Sequence, residues 1–356
     1  MNFERYSRQT QLKEFGLEAQ EKLSKAKVLV VGAGGLGIPV LTYLNAMGVG
    51  VLGIVDSDII SLSNLHRQVS YNEAEVGQSK VTVLIEKLKA QNSSTSLIPY
   101  HTYLTAGNAL EIIKKYDLVV DASDNFPTRY LVNDACVILQ KPLVYGALHS
   151  FEGQVSVFNY KNGPTYRCLF PTMPKANEVP NCDENGVLGV IPGIIGNLQA
   201  LEAVKVITGI GTVLSGKLLL FDGLHQNYQK IKFSKVAKND EIVKLQENYD
   251  FSCTVKSTSI EAKDFTQLIA LKTIQLLDVR TLKEYERFYI AESIHIPLAE
   301  LENRYKELDF TTTVYVVCQS GIRSQKAIQF LENQQSQSTY INVKGGINQM
   351  KMYAVK

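Results

Sequence analysis

Apolar positions along the chain fall into short runs, with stretches of helical period between them. Residues 28–31, 51–55, 97–100, 118–120 and 143–145 read as strands buried on both faces. Between them, 35–47, 80–90, 109–115 and 128–139 have the length and period of helices. This alternation predicts an α/β fold, a Rossmann-like, doubly wound, mostly parallel sheet with helices on both faces. After Gly153 the pattern changes. Residues 154–160 alternate as an antiparallel strand does, and 170–189 form a loop rich in Pro, Asn and Gly. A helix over 194–208 comes next, then strands over 217–221 and 228–233 that extend the sheet as a hairpin pair.

Residues 234–257 are polar and weakly periodic, and read as a linker with one short helix. A second α/β rhythm starts near Ile260, with apolar runs at 274–279, 313–318 and 339–343 and a helix over 323–332. The expected organisation is therefore a domain over 1–233, a linker over 234–257 and a small α/β domain over 258–356. Residues 28–55 carry no charge and are long enough to span a bilayer, but seven glycines, Pro39 and Asn45 interrupt them. They read as strand, glycine turn, helix and strand inside a domain, so no membrane association is expected.

Charge narrows the class of partner. Among 356 residues, 37 Lys and Arg stand against 35 Asp and Glu, a net charge of +2 with both signs dispersed. Nothing in that balance favours nucleic acid or a membrane surface. The N-terminus is charged from the start and shows no leader segment. Five scattered cysteines, Cys136, Cys168, Cys182, Cys253 and Cys318, form no CxxC pair. They point to reduced thiols and a cytoplasmic setting.

The first chemical pattern is Gly32-Ala33-Gly34-Gly35-Leu36-Gly37, after a strand and opening a helix. Such glycines let the backbone approach a phosphate held at a helix N-terminus. Asp56 ends the next strand, where an acid can bind a ribose hydroxyl. Alone, these features describe an NAD-dependent enzyme. Residues further along the chain depart from that reading. Asp58 lies just beyond Asp56, Asn64 and Arg67 share a face if helical, and Lys80 starts a helix. A cation there opposes the helix dipole unless it meets an anion. Asp121-Ala122-Ser123-Asp124-Asn125 then puts carboxylates at the sheet's carboxyl edge. Two cations and a carboxylate beside a phosphate loop suit a triphosphate with Mg²⁺ better than a nicotinamide.

Taken in order, Arg5-Tyr6-Ser7-Arg8-Gln9, GAGGLG, DSDIISLSNLHRQ, VGQSK, DASDN and YRCLF make residues 1–233 resemble the ubiquitin-activating-enzyme-like (ThiF/MoeB-type) adenylyltransferases that activate sulfur carrier proteins. The resemblance implies a homodimer that uses Mg·ATP to adenylate the C-terminal Gly-Gly carboxylate of a ubiquitin-like carrier. It assigns Gly32, Gly34, Gly35, Gly37, Asp56, Asp58 and Asn125 to nucleotide binding, with Asp56 on the ribose. Asn64, Arg67 and Lys80 hold the phosphates, and Asp124 handles Mg²⁺ and adenylation. Arg8 reaches into the partner subunit's site, as an arginine finger does.

Relatives commonly bind a structural zinc through two CxxC pairs. Here Thr165 stands at the first cysteine position of the Thr165–Cys168 segment, and near Asp250 only Cys253 is evident. Two thiols do not close a four-cysteine site, so no zinc is expected and Cys168 and Cys253 read as remnants. Cys182 matches a crossover-loop cysteine that forms covalent intermediates during sulfur transfer in relatives. Its neighbours Asp183 and Glu184 disfavour the thiolate. Cys136, in mid-helix among Ala, Val and Ile, reads as core.

The second pattern is Cys318-Gln319-Ser320-Gly321-Ile322-Arg323-Ser324, between a strand and a helix. A cysteine there sits in a cradle of N–H groups with Arg323 nearby, which favours a thiolate or a persulfide anion. With Leu276–Arg280, Glu284-Tyr285, Ala291–Pro297 and Gly345-Gly346, it makes 258–356 resemble a rhodanese domain. Cysteine-based phosphatases use Cys-x5-Arg, whereas Cys318 and Arg323 are Cys-x4-Arg. Asp278, Arg280 and His295 read as structural. The combined expectation is adenylation of the carrier, then sulfur transfer from a Cys318 persulfide to give a thiocarboxylate, in molybdopterin or thiamine synthesis. A persulfide donor such as a cysteine desulfurase loads Cys318. The alternatives are a non-catalytic scaffold for a ubiquitin-like protein, and an NAD(P)-dependent oxidoreductase with a thiol domain.

Overall fold

The structure is a computed structural model that describes residues 3–174, 186–247, 249, 258–272, 274–335 and 337–353. The chain divides into two compact units, Met1–Ser252 and Cys253–Lys356.

In the first unit the expected strands form one eight-stranded sheet. They are β1 (Lys27–Val31), β2 (Val51–Val55), β3 (Ser96–Tyr100), β4 (Leu118–Asp121), β5 (Leu143–His149), β6 (Glu152–Phe158), β7 (Lys217–Asp222) and β8 (Asn227–Lys232). Their order is β3-β2-β1-β4-β5-β6-β7-β8. The strands from β3 to β5 are parallel, and β6, β7 and β8 continue antiparallel. The first two strands show why the runs lack alternation: every residue from Val28 to Val31 and from Leu52 to Val55 is buried, because helices cover both faces. Leu29 and Val31 feed one core, Val28 and Val30 the other.

The helix expected over 194–208 begins earlier and spans Val190–Thr208. Pro192 lies in its first turn, where the backbone N–H has no partner to lose. This helix is long and apolar enough to cross a membrane by composition alone. It is instead a core helix: Ile191, Ile195, Ala203 and Val204 pack on the sheet, and buried Glu202 accepts from the Leu214 N–H at 2.8 Å. The sequence pattern does not reveal helices Phe3–Thr10 and Gly16–Lys25. They bury few side chains, chiefly Tyr6, Ala19, Gln20 and Leu23.

Much of the expected linker is tied to the first unit. The Val236 N–H donates to the Cys168 sulfur at 3.3 Å, and buried Tyr249 donates to Asp134 Oδ2 at 2.8 Å. Isolated anchors of this kind leave no periodic trace.

The second unit holds β9 (Thr258–Glu261), β10 (Gln275–Asp278), β11 (Ile294–His295), β12 (Val314–Val317) and β13 (Tyr340–Lys344). The sheet runs β11-β10-β12-β13-β9, all parallel. Leu277, Val314 and Val316 pack with Ala327, Ile328 and Leu331 of helix Ile322–Gln334 on one face. Leu276, Val317 and Val343 pack with Phe265 and Ile347 on the other. The three inner strands thus serve two cores, and β12 delivers Cys318 at its carboxyl end.

Candidate functional site

The first candidate site lies at the carboxyl ends of β1, β2 and β4. Gly32 has φ +106°, and a Cβ there would stand 2.7 Å from the Ala122 carbonyl oxygen. A Cβ on Gly37 would stand 1.8 Å from the Gly32 oxygen, and one on Gly35 2.9 Å from Pro192. These glycines answer close backbone and helix approaches. Gly34 is different: a Cβ there would meet only the Gln68 side chain, with Nε2 at 3.4 Å, an ordinary van der Waals distance. The loop leads into helix Gly37–Ala46, whose first N–H groups have no partner within the helix.

Asp56 leaves β2 and is tied to this loop. Its Oδ2 accepts from the Ala33 N–H at 2.8 Å, and Oδ1 from the Asp58 N–H at 2.8 Å. Burial pushes its pKa up, against the pull of Lys80 and the two amides. A carboxylate has about four acceptor directions, so capacity remains for a hydroxyl. Lys80 begins helix Lys80–Gln91 and is nearly fully buried. Its Nζ lies 2.8 Å from Asp58 Oδ2, the anion that its unfavourable position requires. Tyr103 donates to the other Asp58 oxygen at 3.1 Å. Asn64 and Arg67 do share a face: Arg67 Nη2 donates to Asn64 Oδ1 at 3.2 Å. The Arg67 stem passes over the loop, 3.5 Å from where a Gly35 Cβ would be.

At the end of β4, buried Asp121 accepts from the Ser123 N–H at 3.0 Å and the Ser123 hydroxyl at 2.6 Å. Burial pushes its pKa up as well. The turn lifts Asp124 to its exposed tip. The Asn125 oxygen caps helix Phe126–Ile138 by accepting from the Thr128 N–H at 2.9 Å, so that oxygen is engaged structurally.

Three site-supporting residues escape sequence reasoning. Tyr71 carries its hydroxyl 2.9 Å from the Ala33 carbonyl and 3.2 Å from the Lys80 carbonyl, pinning the loop to the Lys80 helix. Arg129 donates to the Ser123 carbonyl at 3.2 Å, and Gln199 to the Asp121 carbonyl at 2.7 Å. Nothing local in the sequence marks any of the three.

Arg8 is not brought to this site. Its helix packs where helices Gly37–Ala46 and Lys80–Gln91 end: Gln9 donates to the Met47 carbonyl at 3.2 Å, and Asn92 to the Tyr6 hydroxyl at 3.0 Å. Both helices begin at the site, so a ten-residue helix, about 15 Å, separates Arg8 from it.

Cys182 and Cys253 lie outside the described residues. Cys168 is half-buried and accepts from the Thr165 and Val236 N–H groups at 3.4 and 3.3 Å and from Asn239 Nδ2 at 3.4 Å. Burial raises the pKa of this thiol, but the donors led by Asn239 outweigh it and the net direction is down. Among the described residues no group of three His, Cys, Asp or Glu could hold a metal ion. Thr165, Val236 and Asn239 offer hydrogen-bond donors to the sulfur where a zinc site needs further ligands. Cys136 is buried in the core, and burial pushes its pKa well up.

The second site centres on Cys318, fully buried at the end of β12. The Gly321 N–H points at its sulfur at 3.1 Å, and the Ser324 hydroxyl lies 3.5 Å away. A Cβ on Gly346 would stand 2.1 Å from the Cys318 carbonyl, so the Gly345-Gly346 turn packs directly on this loop. Arg323 directs its guanidinium at Glu284 in a two-pronged pair at 2.7 and 2.6 Å. Asp278 and Arg280 are a buried ion pair at 2.6 Å. His295 lies 2.9 Å from the Arg280 carbonyl and stacks on Tyr285. Arg280 also donates to the Glu284 and Phe288 carbonyls at 3.2 and 2.7 Å, bracing the segment that carries Glu284.

The Arg323 partnership holds the Glu284 carboxyl at about 2, below its ordinary 4.5. A depressed carboxylate pKa contributes stability above the unfolded value, and that contribution is lost as pH falls from about 4.5 towards about 2. Glu284→Gln is therefore expected to lower urea resistance of the full chain at neutral pH, with a deficit that shrinks as pH falls from about 4.5 towards about 2. An equal deficit at neutral pH and near pH 3 would contradict this.

Comparison with known proteins finds a family match for each part of the chain. Residues 6–242 match the ThiF family, and residues 261–352 match the rhodanese-like domain. The chain is 43% identical to "Adenylyltransferase and sulfurtransferase MOCS3" of Culex quinquefasciatus, over 92% of this chain and 81% of that protein. It is 40% identical to the Xenopus laevis protein of the same name, over 92% of this chain and 81% of the relative. Among solved structures, E. coli MccB with ATP superposes with a TM-score of 0.58 at 23% identity, covering 66% of this chain and 73% of that one. That likeness concerns the fold.

Proposed function

The chain belongs to the ThiF family and carries a rhodanese-like domain behind it, and on that premise we propose how its two sites act in sequence. It is an adenylyltransferase and sulfurtransferase that activates a ubiquitin-like sulfur carrier, in molybdopterin or thiamine synthesis. The observation that carries the adenylation reading is the glycine loop before helix Gly37–Ala46, with Asp56 bonded to the Ala33 N–H, the Arg67 stem beside Gly35 and buried Lys80 paired with Asp58.

A carboxylate is a poor electrophile until joined to AMP. In the proposed step, an oxygen of the carrier's terminal Gly-Gly carboxylate attacks the α-phosphorus of ATP, and pyrophosphate leaves with the electron pair of the broken P–O bond. Asp56 takes the ribose hydroxyl, and the loop amides with Gly32, Gly34, Gly35 and Gly37 receive the phosphates. Asn64 steers Arg67, and Arg67 and Lys80 spread the charge that develops on the phosphoryl oxygens. Asp124, with its carboxylate at the exposed tip of the turn, fits a divalent cation. Mg²⁺ bound there would neutralise phosphate charge and assist the leaving pyrophosphate. Asp58 sets the position of Lys80, and Asn125 holds the turn.

The distance of Arg8 from its own chain's site supports its action in trans, in a homodimer. The C-terminal half of the reaction begins with Cys318 loaded by a persulfide donor such as a cysteine desulfurase. The terminal persulfide sulfur attacks the acyl-adenylate carbonyl, AMP leaves, and an acyl disulfide joins carrier to Cys318. The Cys182 thiolate then attacks the Cys318 sulfur, forming a disulfide with it and releasing the carrier thiocarboxylate. Arg323, oriented by Glu284, shapes the sulfur loop beside the anion. Tethering raises the effective concentration of donor sulfur to the order of mM where the linker spans the gap. Free, unpaired Cys136, Cys168 and Cys318 suit a reducing cytoplasm. Structural zinc has no part in this reading, and purified protein is expected to contain less than one zinc per chain by elemental analysis.

ATP–pyrophosphate exchange tests the first step. Exchange that requires one Gly-Gly-ending carrier supports it and identifies the pathway. A folded protein that binds ATP without exchange, whichever carrier is supplied, would instead be a docking scaffold.

A further inference from the structure

We propose that Asn342 is a positioning residue for Cys318, acting through Ser324 by competing with the sulfur for a single hydroxyl proton. The inference deepens the sulfur-transfer reading above and rests on Cys318 as the sulfur-bearing thiol.

Asn342 is a polar residue on an inner strand of the second sheet. It sits on β13 between Val316 of β12 and Ser259 of β9, and it is buried. Its Oδ1 accepts from the Ser324 hydroxyl at 2.6 Å. Ser324 is also fully buried, in the first turn of helix Ile322–Gln334, with its oxygen 3.5 Å from the Cys318 sulfur. The three groups form one line: sulfur, hydroxyl, amide oxygen.

An amide oxygen only accepts, and a serine hydroxyl has one proton. With that proton committed to Asn342, Ser324 offers the sulfur a lone pair. A protonated thiol can donate to it, but a thiolate or a persulfide anion meets a second centre of negative charge. To serve the anion, Ser324 must turn its proton to the sulfur and give up Asn342. Asn342 therefore holds the resting thiol and opposes the anion. The Gly321 N–H at 3.1 Å donates to the sulfur in either state.

Arg323 of helix Ile322–Gln334 and Glu284 of helix Leu282–Arg287 are paired with each other. The described side chains at the start of helix Gly346–Tyr353 are Ile347, Asn348, Gln349 and Met350, all uncharged.

The test uses the full-length chain and needs neither ATP nor a carrier, so its failure is separate from failure of the proposed function. Alkylation of Cys318 by iodoacetamide at neutral pH is followed by peptide mass spectrometry in wild type, Asn342→Leu, Ser324→Ala and the double variant. Asn342→Leu is expected to raise the rate about 3- to 10-fold, the scale of one hydrogen bond, and Ser324→Ala to lower it. The double variant should match Ser324→Ala, because without the hydroxyl there is no proton to compete for. If Asn342→Leu melts early, Asn342→Val, suited to a strand, carries the same comparison. An unchanged or slower rate in the Asn342 variant overturns the proposal. So does an equal rise without Ser324, which would mean that looser packing exposes the thiol.

Discussion

Cys318→Ser is expected to abolish thiocarboxylate formation while ATP–pyrophosphate exchange continues at the wild-type rate. The hydroxyl oxygen cannot carry a transferable sulfur, so the loss should be complete rather than partial. The fold should survive, because serine is close to cysteine in size and the site already holds the Gly321 N–H and the Ser324 hydroxyl near that atom. Exchange is insulated because the groups assigned to it, from Gly32 to Asp124, all belong to the first unit. Parallel assays of exchange and product on one preparation check this. Residual thiocarboxylate at more than a trace would mean that sulfide reaches the acyl-adenylate without Cys318.

The second large effect concerns Lys80. Lys80→Met keeps the aliphatic bulk of a buried side chain and removes its charge. Losing one preorganised cation from a phosphoryl transition state is expected to lower kcat for exchange by about 100- to 1,000-fold, or about 2.7–4 kcal/mol. Stability should change far less, since its partner Asp58 is half exposed and can be solvated. Asp58→Asn separates the two roles. If Lys80 acts on the phosphates and Asp58 only holds it, Asp58→Asn lowers kcat by much less than Lys80→Met. Equal losses would mean that the ion pair, rather than the cation, is what catalysis needs.

Much of this site was legible before the fold was known. Glycines at 32, 34, 35 and 37, an acid at the end of β2 and a lysine at a helix start each break a local rule, and a broken rule survives in sequence. Lys80 is the clearest case: the expectation that it must meet an anion is answered by Asp58. Residues that support the site from a distance left no such mark. Tyr71, Arg129 and Gln199 reach backbone carbonyls 38, 6 and 78 positions away. Asn342 meets Ser324 only because β13 lies beside β12. The same limit explains the linker, where Tyr249 meets Asp134 across 115 positions. Arg323 marks the opposite failure. Its place in the sulfur loop suggests a partner for the anion, yet Glu284, 39 positions earlier, takes its guanidinium.

The most direct test of the whole account is the mass of a Gly-Gly-ending carrier after incubation with this chain, ATP, Mg²⁺ and a persulfide donor. The account predicts that one oxygen of the carrier is replaced by sulfur, only when ATP is present, and that Asp124→Ala and Cys318→Ser each prevent it. A carrier that returns unchanged from folded, sulfur-loaded protein, or one that gains sulfur without ATP, would contradict it.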